Sequence, residues 1–387
     1  MADIAMGATT KAASGAPRAA RLAFIDNIRW SMIVLVLSMH AADTYSPFGN
    51  WYYVDRGPGG LPTKIFFGVY QSFLQAFFMA LLFCVAGYFS AAAYDRKGFA
   101  PFVRDRCLRL GVPTLLYVFV IGPLTQYFLS WTWGNGGFPH QWLLHLKDGE
   151  WLSETGPMWF CAALLAFSVL YGLARLAGWK ETAIRPGAAG IALFIAVMAS
   201  STFLVRVGIS EGASVLNMHP GDFPQYVLMY LAGAYGFRGK WLDEFSDRFC
   251  FRTAALTLSI SVPLFAALIV LGGGLEGDTA KYSGGFNLVS AGKCLWEGLV
   301  CVGMALLILA AYRRWFKAQG PLARVLSDNA FGVYLIHPPI LIAFAILLHP
   351  LLWPPIAKAA LLTALAAIGS FAASALILRK SPLRAIV

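Results

Sequence analysis

The chain has 387 residues, 58% of them hydrophobic and 13% charged, with a mean hydropathy of +0.65 and a formal net charge of +11. A soluble domain carries about 25% charged residues, so an assembly of water-soluble domains is excluded. The basic excess does not indicate a nucleic-acid binder either, because Lys and Arg lie in short connections between apolar runs and not on one soluble face.

Residues 1–21, rich in Ala and Gly, read as a disordered cytoplasmic tail, and 381–387 as a short cytoplasmic C-terminal tail. A membrane-crossing helix takes roughly 20 apolar residues. Ten stretches qualify: 26–44, 65–93, 108–130, 157–177, 188–206, 223–237, 252–272, 286–312, 328–348 and 355–378. The expected fold is all-α, a polytopic membrane helix bundle of about ten transmembrane helices over residues 22–380. The sixth stretch is the weakest, being short and interrupted by Gly233 and Gly236. Cytoplasmic connections are enriched in basic residues. Of the 30 Lys and Arg, only Arg56, Lys64, Lys147, Arg206, Lys281, Lys293 and Lys358 fall on one side, and the other 23 share a side with the N-terminus. Both termini are therefore expected in the cytoplasm. The six cysteines form no CxxC pair and read as free, small core residues, with no metal site implied.

Ionisable groups within a membrane are expensive and invite functional readings. The first span carries Asp26, Arg29 and His40. Eleven helical steps from Arg29 return to within about 20° of the same direction at a rise of roughly 16 Å, so Arg29 and His40 share a stripe. Asp26 lies one turn before Arg29 and can pair with it. At the inner mouth of the third span stand Arg104, Arg106 and Arg109; the last two can face one partner, and guanidinium matches phosphate oxygens bidentately. In the eighth span Glu297 follows Lys293 by one turn, as an internal ion pair or a charge lining a site. The ninth opens with Ser327, which could cap it, and carries Tyr334 and His337 one turn apart, followed by Pro338 and Pro339. The prolines free backbone carbonyls near mid-membrane, and these need partners. The connections 44–64 and 131–156 hold Trp51, Tyr52, Tyr53, Trp131, Trp133, Trp142 and Trp151, readable as an interfacial belt or as a platform for sugar rings.

These stretches resemble the acyltransferase-3 family, of membrane-bound O-acyltransferase type, and within it the glucan biosynthesis protein C branch. The resemblance is carried by Phe24 to Arg29 with His40, Gly87-Tyr88-Phe89, Asp95 to Gly98, and Arg104 to Arg109. Gly156-Pro157-Met158-Trp159-Phe160, Pro224-Gln225-Tyr226 and Phe331 to His337 complete it. It implies an enzyme of a bacterial inner membrane that moves an acetyl or succinyl group from cytoplasmic acyl-CoA, the donor substrate, to a hydroxyl of a carbohydrate or cell-envelope glycan. No bound cofactor is implied, and the remaining partner is membrane lipid. On this reading His40 is the base, Arg29 with Asp26 orients or stabilises the reacting end, and Arg104, Arg106 and Arg109 hold CoA phosphates. His337, Tyr334, Glu297 and Trp159 line the substrate chamber. The rival reading is a secondary transporter of a polar solute, with Arg29, His40 and Glu297 as a relay.

Overall fold

The computed structural model describes residues 22–57, 59–129, 137–147, 155–274, 280–377 and 380. The tails read at 1–21 and 381–387, together with Trp131, Trp133 and Trp151, lie outside the described residues. The described chain is helical: α1 (Ala23–Tyr45), α2 (Leu61–Gln75), α3 (Phe78–Lys97), α4 (Phe99–Gln126), α5 (Gly137–Lys147), α6 (Trp159–Leu176), α7 (Ala188–Gly208), α8 (Phe223–Arg238), α9 (Asp247–Leu271), α10 (Leu288–Trp315), α11 (Pro321–Leu348) and α12 (Pro355–Leu376). No strand forms among the described residues. This is the all-α membrane bundle expected from the sequence.

Among the described residues eight helical runs are long and apolar enough to cross a membrane: α2 with α3, α4, α6, α7, α9, α10, α11 and α12. The first and sixth expected spans form α1 and α8. α1 has 23 residues, but Asp26, Arg29, His40 and Asp43 dilute its apolar character; α8 has only 16 residues. Neither sits at the rim. α1 packs against α2, α3, α10, α11 and α12, and α8 against α3 and α7.

Local sequence explains the irregular places. α3 and α8 cross where Gly87 meets Tyr230 and Gly233 meets Cys84: a Cβ at either glycine would lie 1.9 Å from the facing carbonyl oxygen. Small residues at helix crossings let backbones approach in a membrane. α4 contains two π segments, Cys107–Gly111 and Tyr117–Ile121. Each precedes a proline, Pro113 and Pro123, whose ring clashes with the carbonyl four residues back and cannot donate to it. The carbonyl freed by Pro123 is that of Phe119, which takes the Trp142 indole N–H at 2.8 Å. α11 begins at Pro321, nearly two turns earlier than expected, so Ser327 lies inside the helix and does not cap it. Its hydroxyl instead accepts from Gln319 at 2.6 Å.

Ion pairs identify the two ends of the bundle. At one, Asp95 of α3 and Glu181 pair with Arg175 of α6 and Arg238 of α8, with Arg175 contacts of 3.0 Å and 3.1 Å. Asn27 of α1 binds the carbonyls of Phe316 and Ala318, just before the start of α11, at 2.9 Å and 3.2 Å. This is the basic end. At the opposite end Asp55 binds Lys358 at 2.6 Å and His349 at 3.2 Å, closing the first connection over α12.

Candidate active site

α1 runs through the bundle with polar groups at both ends. Near the basic end Arg29 pairs with Asp26 at 3.2 Å, as the one-turn spacing predicts, and its guanidinium lies 4.7 Å from the centre of the Phe89 ring. The next residue of α3, Ser90, accepts from Arg106 at 3.2 Å, so α3 carries Arg29 and Arg106 on adjacent positions. Arg106 also stacks on Phe102 at 5.2 Å. Arg104 and Arg109 are exposed, while Arg106 is half-buried. One arginine of the basic cluster thus enters the bundle while two stay at its mouth.

Toward the other end His40 stacks on Trp51 with ring centres 3.7 Å apart and planes inclined by 18°. His337 lies parallel to His40 at 5.4 Å and to Trp51 at 6.4 Å. The first connection therefore folds back to place its tryptophan on the α1 histidine, and α11 supplies the third ring. His40 Nδ1 is 3.4 Å from Asp43 Oδ2, one turn on. Asp43 Oδ1 accepts from Gln71 at 2.6 Å, and Gln71 accepts from Ser46 at 2.7 Å. This chain fixes the carboxylate beside the imidazole. Nδ1 itself makes no hydrogen bond among the described residues, so the carboxylate acts on the imidazole through its charge alone.

His337 is wholly buried. Its Nδ1 is 2.9 Å from the Tyr334 carbonyl, the carbonyl that Pro338 cannot bond because it lacks an N–H. A carbonyl only accepts, so Nδ1 carries the hydrogen and Nε2 of the neutral ring is left as an acceptor. Tyr334 donates its hydroxyl to the Pro157 carbonyl, which fixes the turn leading into α6. Tyr52 meets Trp51 edge-on at 5.0 Å, and its hydroxyl is 3.2 Å from that of Tyr117. Gly156, at φ +49°, lets the chain pass these tyrosines: a Cβ there would lie 2.5 Å from both rings' atoms. Trp159 packs on Tyr226 at 5.7 Å and on Phe83 at 6.4 Å.

Glu297 belongs to a separate cluster. Arg206, at the end of α7 and 2% exposed, lies 2.8 Å from Glu297, 2.5 Å from Asp222 and 3.9 Å from Glu211. Lys293 bonds Glu211 and stands 3.7 Å from Glu297. Burial would push the Glu211 carboxyl up, but Lys293 and Arg206 outweigh it and hold the group below the usual carboxylate range. Gln75, at the bend between α2 and α3, joins through Asp222 at 3.2 Å. The Lys293–Glu297 pair is thus part of a larger ionic knot, and Glu297 is committed to cations on neighbouring helices. The relay of the transporter reading is not assembled through it.

Sequence reasoning did not single out Asp43, Gln71, Arg206 or Asp222. Asp43 had a readable signal, since it lies three residues after His40 on one helix face. Gln71, Arg206 and Asp222 had none, because their partners are far away in the chain. All six cysteines are free; Cys107 is exposed, contrary to the expected core position. Among the described residues no group of His, Cys, Asp and Glu is arranged to hold a metal ion.

A family model described as an acyltransferase domain, acyltransferase family 3, matches residues 22–379. The chain belongs to this acyltransferase family. No curated protein and no solved structure matches it. The match spans every helix from α1 to α12, so the acyltransferase is the helix bundle itself.

Proposed function

We propose that this acyltransferase carries an acetyl or succinyl group from cytoplasmic acyl-CoA to a hydroxyl of a carbohydrate acceptor, such as a cell-envelope glucan, across a bacterial inner membrane. The observation that carries the reading is α1: Arg29 with Asp26 at the basic end, and His40 with its carboxylate in an aromatic stack at the other. The basic end faces the cytoplasm, by the excess of Lys and Arg on that side. Arg104, Arg106 and Arg109 receive the CoA phosphates there, and Arg29 meets the thioester arm. The pantetheine arm then has roughly 16 Å to span along α1.

Near His40 the acceptor's hydroxyl oxygen bonds to the thioester carbonyl carbon as the carbon–sulfur bond breaks. His40 Nε2 takes the hydroxyl proton and returns it to the CoA sulfur. General-base catalysis of this kind contributes about 10²–10⁴-fold. His40→Ala should therefore lower transfer of label from [14C]acetyl-CoA at least about a hundredfold, with the protein still accumulating in the membrane; undiminished transfer removes His40 from the reaction. Replacing Arg106 and Arg109 by Glu should weaken acetyl-CoA binding and leave oligosaccharide binding unchanged.

A further inference from the structure

His337 has a property that base catalysis at His40 does not use. Pro338 strips the Tyr334 carbonyl of its helical donor, and that carbonyl claims the His337 Nδ1 hydrogen at 2.9 Å. Nε2 is left as a fixed acceptor, completely buried and with no hydrogen-bond donor among the described residues. An unsatisfied buried acceptor costs about 1–3 kcal/mol, so such a group calls for a partner. Its ring is parallel to His40 at 5.4 Å, close enough for both imidazoles to engage adjacent atoms of one small molecule. The Asp43 carboxylate lies 3.4 Å from His40 Nδ1. A buried Nε2 acceptor on His337, beside the His40 imidazole and the Trp51 face, matches a ring that offers two neighbouring O–H groups.

We propose that His337 reads a second hydroxyl of the acceptor, adjacent to the one that is acylated, and so restricts the enzyme to acceptors with vicinal hydroxyls. The assignment rests on the acyl-transfer reading above. His40 takes the proton of the reacting hydroxyl; His337 accepts a hydrogen bond from its neighbour and takes no proton. His337 is a specificity-determining residue whose state is set by the proline that follows it.

The test uses full-length protein in nanodiscs with [14C]acetyl-CoA and two matched acceptors, trans-cyclohexane-1,2-diol and its monomethyl ether. The ether keeps one reacting hydroxyl and lacks the second donor. Wild-type protein should favour the diol at least tenfold in kcat/KM. His337→Asn keeps an amide N–H in place of Nδ1–H for the Tyr334 carbonyl and removes the distal acceptor. It should bring the diol-to-ether ratio close to one and leave acetyl-CoA binding unchanged, which a merely structural loss would not do. A wild-type ratio near one, or a ratio unchanged in His337→Asn, overturns the proposal while acyl transfer itself stands. Wild-type protein that acylates neither alcohol while binding acetyl-CoA overturns the transfer reading and the hydroxyl assignment with it. Histidine 15N spectra give a readout independent of turnover: the resonance lost in His337→Asn should show a protonated Nδ1 and a bare Nε2, and a protonated Nε2 overturns the fixed acceptor.

Discussion

His40 Nδ1 stands 3.4 Å from Asp43 Oδ2, and Asp43 is in turn held by Gln71 at 2.6 Å. An imidazole that acts through one nitrogen needs the other fixed, and a carboxylate does this by selecting tautomer and orientation. Nδ1 makes no hydrogen bond to Asp43, so we propose that the carboxylate positions His40 through its charge. Asp43→Asn should lower kcat by at least about tenfold without changing the KM for acetyl-CoA, and Gln71→Met should act in the same direction with a smaller effect. Steady-state kinetics on purified protein separate the two quantities; a change confined to KM would place Asp43 in donor binding. The spacing of His40 and Asp43 was readable in the sequence, since both lie on one helix face. The carboxylate's own support was not, because Gln71 arrives from another helix.

At the scale of the element, glycine and proline decide where helices meet and bend. Gly87 and Gly233 form a reciprocal contact between α3 and α8, each with a facing carbonyl 1.9 Å from where a Cβ would be. A side chain at either position forces the backbones apart along α3, the helix that carries Phe89 and Ser90 against Arg29 and Arg106. Gly87→Leu and Gly233→Leu should each reduce detergent-extractable, monodisperse protein severely, as read by size-exclusion chromatography. Normal yields would show that the crossing can relax. From the sequence Gly233 weakened the case for a sixth span; in the bundle it is the reason α8 packs so closely. A hydropathy pattern scores a glycine for its lack of apolar surface, whereas helix packing in a membrane uses the same lack to bring backbones together. Pro338 is the contrary case. Its effect on the Tyr334 carbonyl follows from local chemistry, and the sequence already implied a freed carbonyl seeking a partner.

Across the whole molecule, ion pairs differ in worth according to their burial. Arg206 is 2% exposed and neutralises Asp222 and Glu297 between α7, α8 and α10. Removing one partner of a buried pair costs roughly 3–5 kcal/mol because the remaining charges stay buried. Arg185–Glu244, 3.0 Å apart, has side chains 60% and 40% exposed, and such pairs contribute about 0–1 kcal/mol. Arg206→Gln should lower the thermal midpoint in detergent sharply, and Arg185→Gln should leave it nearly unchanged; equal effects would mean the knot is solvated. By itself the sequence determined the membrane class, the helical architecture and the pairing of Asp26 with Arg29, because hydropathy and one-turn spacing are local properties of the chain. Tertiary structure alone decided that Trp51 folds onto His40, that His337 lies parallel to both, and that Glu297 answers to Arg206. Trp51 reaches His40 only through the fold of the connection after α1, and the other contacts join residues far apart in the chain that only the packing of separate helices brings within reach.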